Sequence, residues 1–147
     1  MMLNTKCHGE ISYTEDEIIY FQKGILGFDE LKKFIIFSLK DNDVCSVIHS
    51  IEDENVGFIV TSPFMVDREY EFELSELQEK LLKIKRPEDV EVVNIITINS
   101  DLNNITINLR APIIINKKEK VGEQIVLNSD KYKIKTPIIG EKKNVSC

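Results

Sequence analysis

Few residues in this chain could begin acid–base, metal or nucleophilic chemistry. It has two histidines and three cysteines in 147 residues. Cys45 and His49 stand four apart. On an extended strand that is about 13 Å along the axis, at roughly 3.3 Å per residue, so the two share a face without sharing a metal. Cys7 and His8 are adjacent and would point to opposite faces of a strand. No serine sits in a nucleophile elbow, and no HExxH, Walker or CxxC pattern occurs. An enzyme would need a site assembled by folding from residues that show no pairing in the sequence. No cofactor and no metal are expected.

Recognition chemistry is better represented. Glu69, Glu71 and Glu73 alternate with Tyr70, Phe72 and Leu74. Read as a strand, this stretch has one acidic face and one apolar face. Glu52, Asp53 and Glu54 cluster at a hairpin tip. Such surfaces meet a basic partner or simply keep a protein soluble. Part of the acidic surface is expected to meet a partner, with Tyr70 as an aromatic anchor. Lys131, Lys133 and Lys135 also alternate, with Lys117, Lys118 and Lys120 nearby in sequence. Only Tyr132 is interleaved there, whereas single-strand nucleic-acid binders combine basic grooves with stacking platforms.

Charge supports that ordering. The net charge is −6. Residues 1–73 carry 6 Lys+Arg against 15 Asp+Glu, and residues 74–147 carry 13 against 10. An acidic front half does not suit a phosphate backbone. No apolar run approaches the roughly 20 residues needed to span a bilayer. The N-terminal stretch lacks the apolar core of a signal peptide, so a cytoplasmic protein is expected. The odd cysteine count argues against a disulfide framework.

The elements that would position these residues are short strands. Asn104 to Asn116 is the clearest: Ile105, Ile107 and Leu109 alternate with Thr106, Asn108 and Arg110. Pro112 has no backbone donor and predicts a bend before Ile113-Ile114-Ile115 resumes as buried strand. Strands are also expected at Glu17–Phe21, Phe34–Leu39, Val44–Ile51, Val56–Thr61, Glu69–Leu74, Glu91–Ile98 and Val121–Leu127. The stretch from Lys6 to Ser12 shows little pattern. Gly24 and Gly27 mark a tight connection capped by a buried Phe28. Ser75 and Gln78 have capping-box spacing ahead of the single helix, with Leu77, Leu81 and Leu82 along one side. Asn99–Asn103 and Lys117–Lys120 read as hairpin loops, and 140–147 as a frayed tail. About nine short strands and one short helix predict one all-β, mainly antiparallel domain over 1–147, a small barrel-like fold. Gly24, Gly27, Phe28, Asn108 and Pro112 are read as shaping it.

As an ordered set, several blocks resemble the FliW family of flagellar assembly factors. The first is Thr5…Gly9 with Ile19–Phe21 and Gly24-Ile25-Leu26-Gly27-Phe28. The second is Ile48-His49-Ser50-Ile51-Glu52-Asp53 with Gly57-Phe58. The third is Tyr70, Thr106 to Pro112, Asn116, Gly122 and Gln124. Leu26 and His49 depart from the family pattern, which often has proline and glutamine there; His49 would matter if its strand end faced a partner. The resemblance implies a non-enzymatic β-barrel of the bacterial cytoplasm. It would bind flagellin in a chaperone-like manner, and also the translational regulator CsrA. Switching between them would relieve CsrA repression of flagellin synthesis. No direct nucleic-acid or membrane contact is implied. The alternatives are an RNA-binding small β-barrel or a small-molecule-binding protein.

Overall fold

The structure is a computed structural model that describes residues 1–98 and 105–138. Among these residues there are eleven strands: β1 Met2–Thr5, β2 Gly9–Ser12, β3 Ile19–Phe21, β4 Lys33–Ser38, β5 Cys45–Ser50, β6 Gly57–Thr61, β7 Val90–Ile98, β8 Ile105–Ile107, β9 Ile113–Asn116, β10 Val121–Gln124 and β11 Thr136–Pro137. One α-helix, α1, spans Glu76–Leu81.

Seven strands close a ring in the order β3-β4-β5-β6-β7-β9-β10. Six of the seven joints are antiparallel. The seventh is parallel, where Val121 and Gly122 of β10 face Tyr20 and Phe21 of β3. Closure removes the free edges that apolar strands such as β4 would otherwise present. The strongly apolar FIIFSL and triple-isoleucine stretches thus become wall strands, as a closed all-β fold requires.

β7 organises the closure because it is long enough to serve three neighbours. Its Val90–Val93 half pairs with β9, its Ile96–Ile98 half with β8, and Asn94 and Ile95 meet β6 on the other edge. The chain leaves β8 and re-enters as β9 through the bend expected at Pro112. Asn108 makes that bend: its Oδ1 accepts from the amides of Arg110 and Ala111, both at 3.1 Å. Pro112 donates nothing, but its carbonyl accepts from the Ile125 amide at 3.0 Å.

Successive wall residues feed alternate cores, as the strand period demands. Ile48, Ile113 and Ile115 join Phe21, Phe34 and Val60 in one cluster. Val47 and Ile114 join Tyr70, Leu82, Leu109, Leu127 and Tyr132 in the other. This second cluster recruits segments that lie outside the seven-stranded wall.

Several expectations change. Lys6–Ser12 is ordered: β2 pairs with β1 as a separate hairpin, and the Thr5 hydroxyl closes the turn by donating to the Gly9 carbonyl at 2.6 Å. Two four-residue strands carry too little periodicity to be read. Glu69–Leu74 is extended but joins no ladder. Lys131, Lys133 and Lys135 lie on a loop, with only Thr136–Pro137 paired behind them. The helix has its capping box, with Ser75 Oγ accepting from the Gln78 amide at 3.1 Å. Leu77 and Leu81, four apart, share a side, but no residue within Glu76–Leu81 is buried; the buried contact comes from Leu82, just past the helix end. Leu82 is buried while Leu77 is 64% exposed. The expected Asn99–Asn103 loop and the 140–147 tail lie outside the described residues.

Candidate interaction surfaces

The acidic rim begins at a turn. Asp67 accepts the Glu69 amide through Oδ1 at 2.9 Å and the Tyr70 amide through its carbonyl at 3.1 Å. From there the chain runs extended, with Glu69, Glu71 and Glu73 exposed, Phe72 and Leu74 half-buried, and Tyr70 buried. The side chains alternate as expected, but the support comes from elsewhere. Tyr132, 61 residues away, accepts the Glu71 amide on its hydroxyl at 2.9 Å. Its ring lies 4.6 Å from that of Tyr70. The Tyr70 hydroxyl donates to the Leu109 carbonyl at 2.7 Å and accepts from Asn94 Nδ2 at 3.4 Å. Burial pushes the Tyr70 phenol up to about 12.

Tyr70 is therefore core, only 3% exposed, and offers no anchor to a partner. The expectation fails because the ring is packed against Tyr132, from far along the chain, and against Phe72 and Phe64 close by. What the rim does offer is a groove of ≈ 440 Å³ lined by Glu71, Phe72, Glu73, Leu127, Lys131 and Tyr132, among others. A second hollow of ≈ 350 Å³ shares Lys131 and Tyr132 as lining and includes Asp67, Leu109 and Lys133. The loop that walls the groove is fixed to the bend: the Leu127 amide donates to the Arg110 carbonyl at 2.8 Å, and Arg110 Nε donates back to Leu127 O at 3.2 Å. Tyr132 and Leu127 were not singled out for this role. No spacing rule joins positions so far from the glutamates in sequence.

The hairpin tip is divided in its duties. Glu52 Oε1 accepts the amides of Lys33 (3.0 Å) and Lys32 (2.7 Å), and these bonds hold its carboxyl below the usual range. It clamps the start of β4. Ser50 Oγ accepts the amides of Glu52 and Asp53, both at 3.0 Å, so the tip is a rigid turn. The Glu54 carbonyl accepts the Lys6 amide at 3.1 Å, joining the tip to the β1–β2 hairpin. The tip thus packs against the N-terminal hairpin, while the rim packs on Tyr132 and Leu109.

The 24–28 loop reads correctly at its glycines. Gly24 has φ +67, and a Cβ there would lie 2.6 Å from the Phe28 carbonyl. Only glycine fits. Phe28, however, is not buried. It is 38% exposed and rests edge-on against Phe58 at 5.4 Å. Ile25, 1% exposed, takes the core position instead. Leu26 stays exposed, and its amide is held by Gln124 Oε1 at 2.9 Å. Proline at that position would lack this donor. His49 is buried, not facing a partner; its Nδ1 lies 2.8 Å from the Ser50 carbonyl. Its ring occupies the space over Gly57, where a Cβ would come within 2.4 Å of it. His8 of the N-terminal hairpin packs edge-on against His49 at 6.4 Å, and burial, then the charge of His49, lowers the pKa of His8.

Among the described residues no group of three or more His, Cys, Asp and Glu side chains is placed to hold a metal. No helix among them is long and apolar enough to cross a membrane.

Comparison with known proteins bears on this arrangement as a whole. The family model described as FliW protein matches residues 2–138. A flagellar assembly factor FliW from Clostridium botulinum (strain Okra / Type B1) is 60% identical over 141 residues, covering 96% of this chain and 99% of the relative. That of Clostridium tetani (strain Massachusetts / E88) is 55% identical over 141 residues, covering 96% and 97%. A crystal structure of the flagellar assembly factor FliW superposes with a TM-score of 0.87 at 32% identity, over 94% of this chain and 96% of that one.

Proposed function

Because this chain belongs to the FliW family of flagellar assembly factors, we propose that it works by binding, holding flagellin and a CsrA-type translational regulator in turn. In this reading flagellin occupies the factor until export removes it. The freed factor then takes up CsrA in the cytoplasm and lifts repression of flagellin synthesis. The observation that carries the CsrA half is the rim: Glu69, Glu71 and Glu73 stand exposed, and Glu71 and Glu73 line a groove together with Phe72, Leu127, Tyr132 and Lys131. A regulator that binds RNA phosphates is basic around its site, and an acidic row is its electrostatic complement. Direct RNA binding is less well supported, since Tyr132, the aromatic beside the loop lysines, is buried and offers no stacking platform.

Size-exclusion chromatography of the purified protein with flagellin, with CsrA and with both tests the proposal. Two separate binary complexes, with flagellin displacing CsrA in the mixture, are expected. Failure to co-elute with either partner, or a gel shift of flagellin message by this protein alone, would overturn it.

A further inference from the structure

Away from the rim, positive charge is gathered at one place. Asn116 ends β9 and is 1% exposed. Its Nδ2 donates to the carbonyls of Leu82 (2.8 Å) and Lys83 (3.0 Å), and its Oδ1 accepts the amides of Lys118 (3.0 Å) and Glu119 (3.1 Å). One side chain thus staples the end of α1 to the β9–β10 turn. The Lys117 amide adds a bond to the Asp89 carbonyl at 2.9 Å. Between the stapled segments is a cleft of ≈ 70 Å³, with Lys83, Lys85, Arg86 and Lys118 around it, together with Asp89 and Glu119.

Four cations therefore outnumber two carboxylates at a site on a chain whose net charge is −6. Among the described residues, the ion pairs are Lys23 with Glu123 and Arg110 with Asp130, so none of the four cations is in one. The buried Asn116 amide fixes the backbone at Lys83 and Lys118, so these exposed like charges line one cleft, where they repel. An anion seated among them would relieve that repulsion. A single water needs about 10–15 Å³ of space open to its centre, so the cleft has room for several waters or one tetrahedral anion. Arg86 can present two parallel donors and the lysines point charges. No aromatic side chain lines the cleft, and the acidic remainder of the molecule repels an extended polyanion.

We propose that this cleft binds a compact, multiply charged oxyanion of phosphate type, free in solution. The test uses the whole chain, titrated at constant ionic strength with sodium phosphate and, in a second arm, with an aspartate-rich peptide. Backbone amide resonances report the site. Saturable shifts confined to residues 83–89 and 117–119 are expected, weakened about tenfold or more in a Lys118→Gln, Arg86→Gln double variant with an unchanged melting temperature. Tighter binding of phosphate than of the peptide is expected, and tighter binding of the peptide would replace the proposal with a docked protein segment. Shifts that follow ionic strength without saturating, equal affinity in the variant, or displacement of phosphate by a short single-stranded RNA that binds more tightly would overturn the proposal.

Discussion

The 24–28 loop and the 69–74 rim are both short, both carry an aromatic ring, and both lie outside the barrel's regular ladders. They are shaped by different forces. The loop is set by its own backbone: Gly24 and Gly27 take φ +67 and +88, and Ile25 turns inward. Its ring, Phe28, is left at the surface against Phe58. The rim is set from a distance. Tyr132 and Leu109 hold Tyr70 in the core, and the glutamates face outward as a consequence. A local device fixes where a chain turns; a remote one decides which side chain is covered.

Substitution at the two rings separates these cases most strongly. Tyr70→Ala removes a buried ring and its hydroxyl, and should cost about 3–5 kcal/mol in chemical denaturation, enough to threaten folding of a typical domain. A loss under about 1 kcal/mol would mean the rim does not depend on that ring.

The same ring predicts an alkaline limit. Its phenol is raised to about 12 in the folded chain from the ordinary 10.0. The folded state thus keeps a proton that the unfolded state releases. The contribution is fully present below pH 10 and is lost as pH rises from 10 to about 12, by roughly 2–3 kcal/mol at about 1.4 kcal/mol per unit. Denaturation midpoints across that window, compared with Tyr70→Phe, check it: the variant should lose less stability there.

Phe28→Ala should cost less than Tyr70→Ala, about 1–2 kcal/mol, because only part of the ring is withdrawn from water. A loss of 3 kcal/mol or more would restore Phe28 to the core position that its place after Gly27 suggests. Smallest in stability is the triple change of Glu69, Glu71 and Glu73 to glutamine, which should move it by less than about 0.5 kcal/mol, since exposed charges contribute little. Its effect belongs to association: a slower on-rate with CsrA at low salt, fading as the Debye length falls below roughly 8 Å. Equal rates at both salt concentrations would make the row a solvated face.

Much of the local structure is legible in the sequence. The alternation of Ile105 and Ile107, the Asn108–Pro112 bend, the Ser75 capping box and the Lys117–Lys120 hairpin turn are all local patterns, and the structure contains them. The family blocks were legible as an ordered set, because they include the glycines and turn residues that local geometry requires. The candidate surface was only half legible. The period of two put the glutamates on one side, but it could not say whether the ring beside them faced solvent or core.

By itself the sequence determined most of the wall strands, several of the turns, that the barrel is built from β-branched stretches, and that its front half is acidic. These follow from backbone sterics and side-chain period, which act over a few residues. Tertiary structure alone decided the parallel β3–β10 joint that closes the ring, the burial of Tyr70 under Tyr132, the release of Phe28 to the surface, and the Asn116 staple that gathers four cations. Each of these depends on hydrogen bonds or packing between segments distant in the chain, and such pairings are selected by the energy of the whole closed core and not by any one stretch.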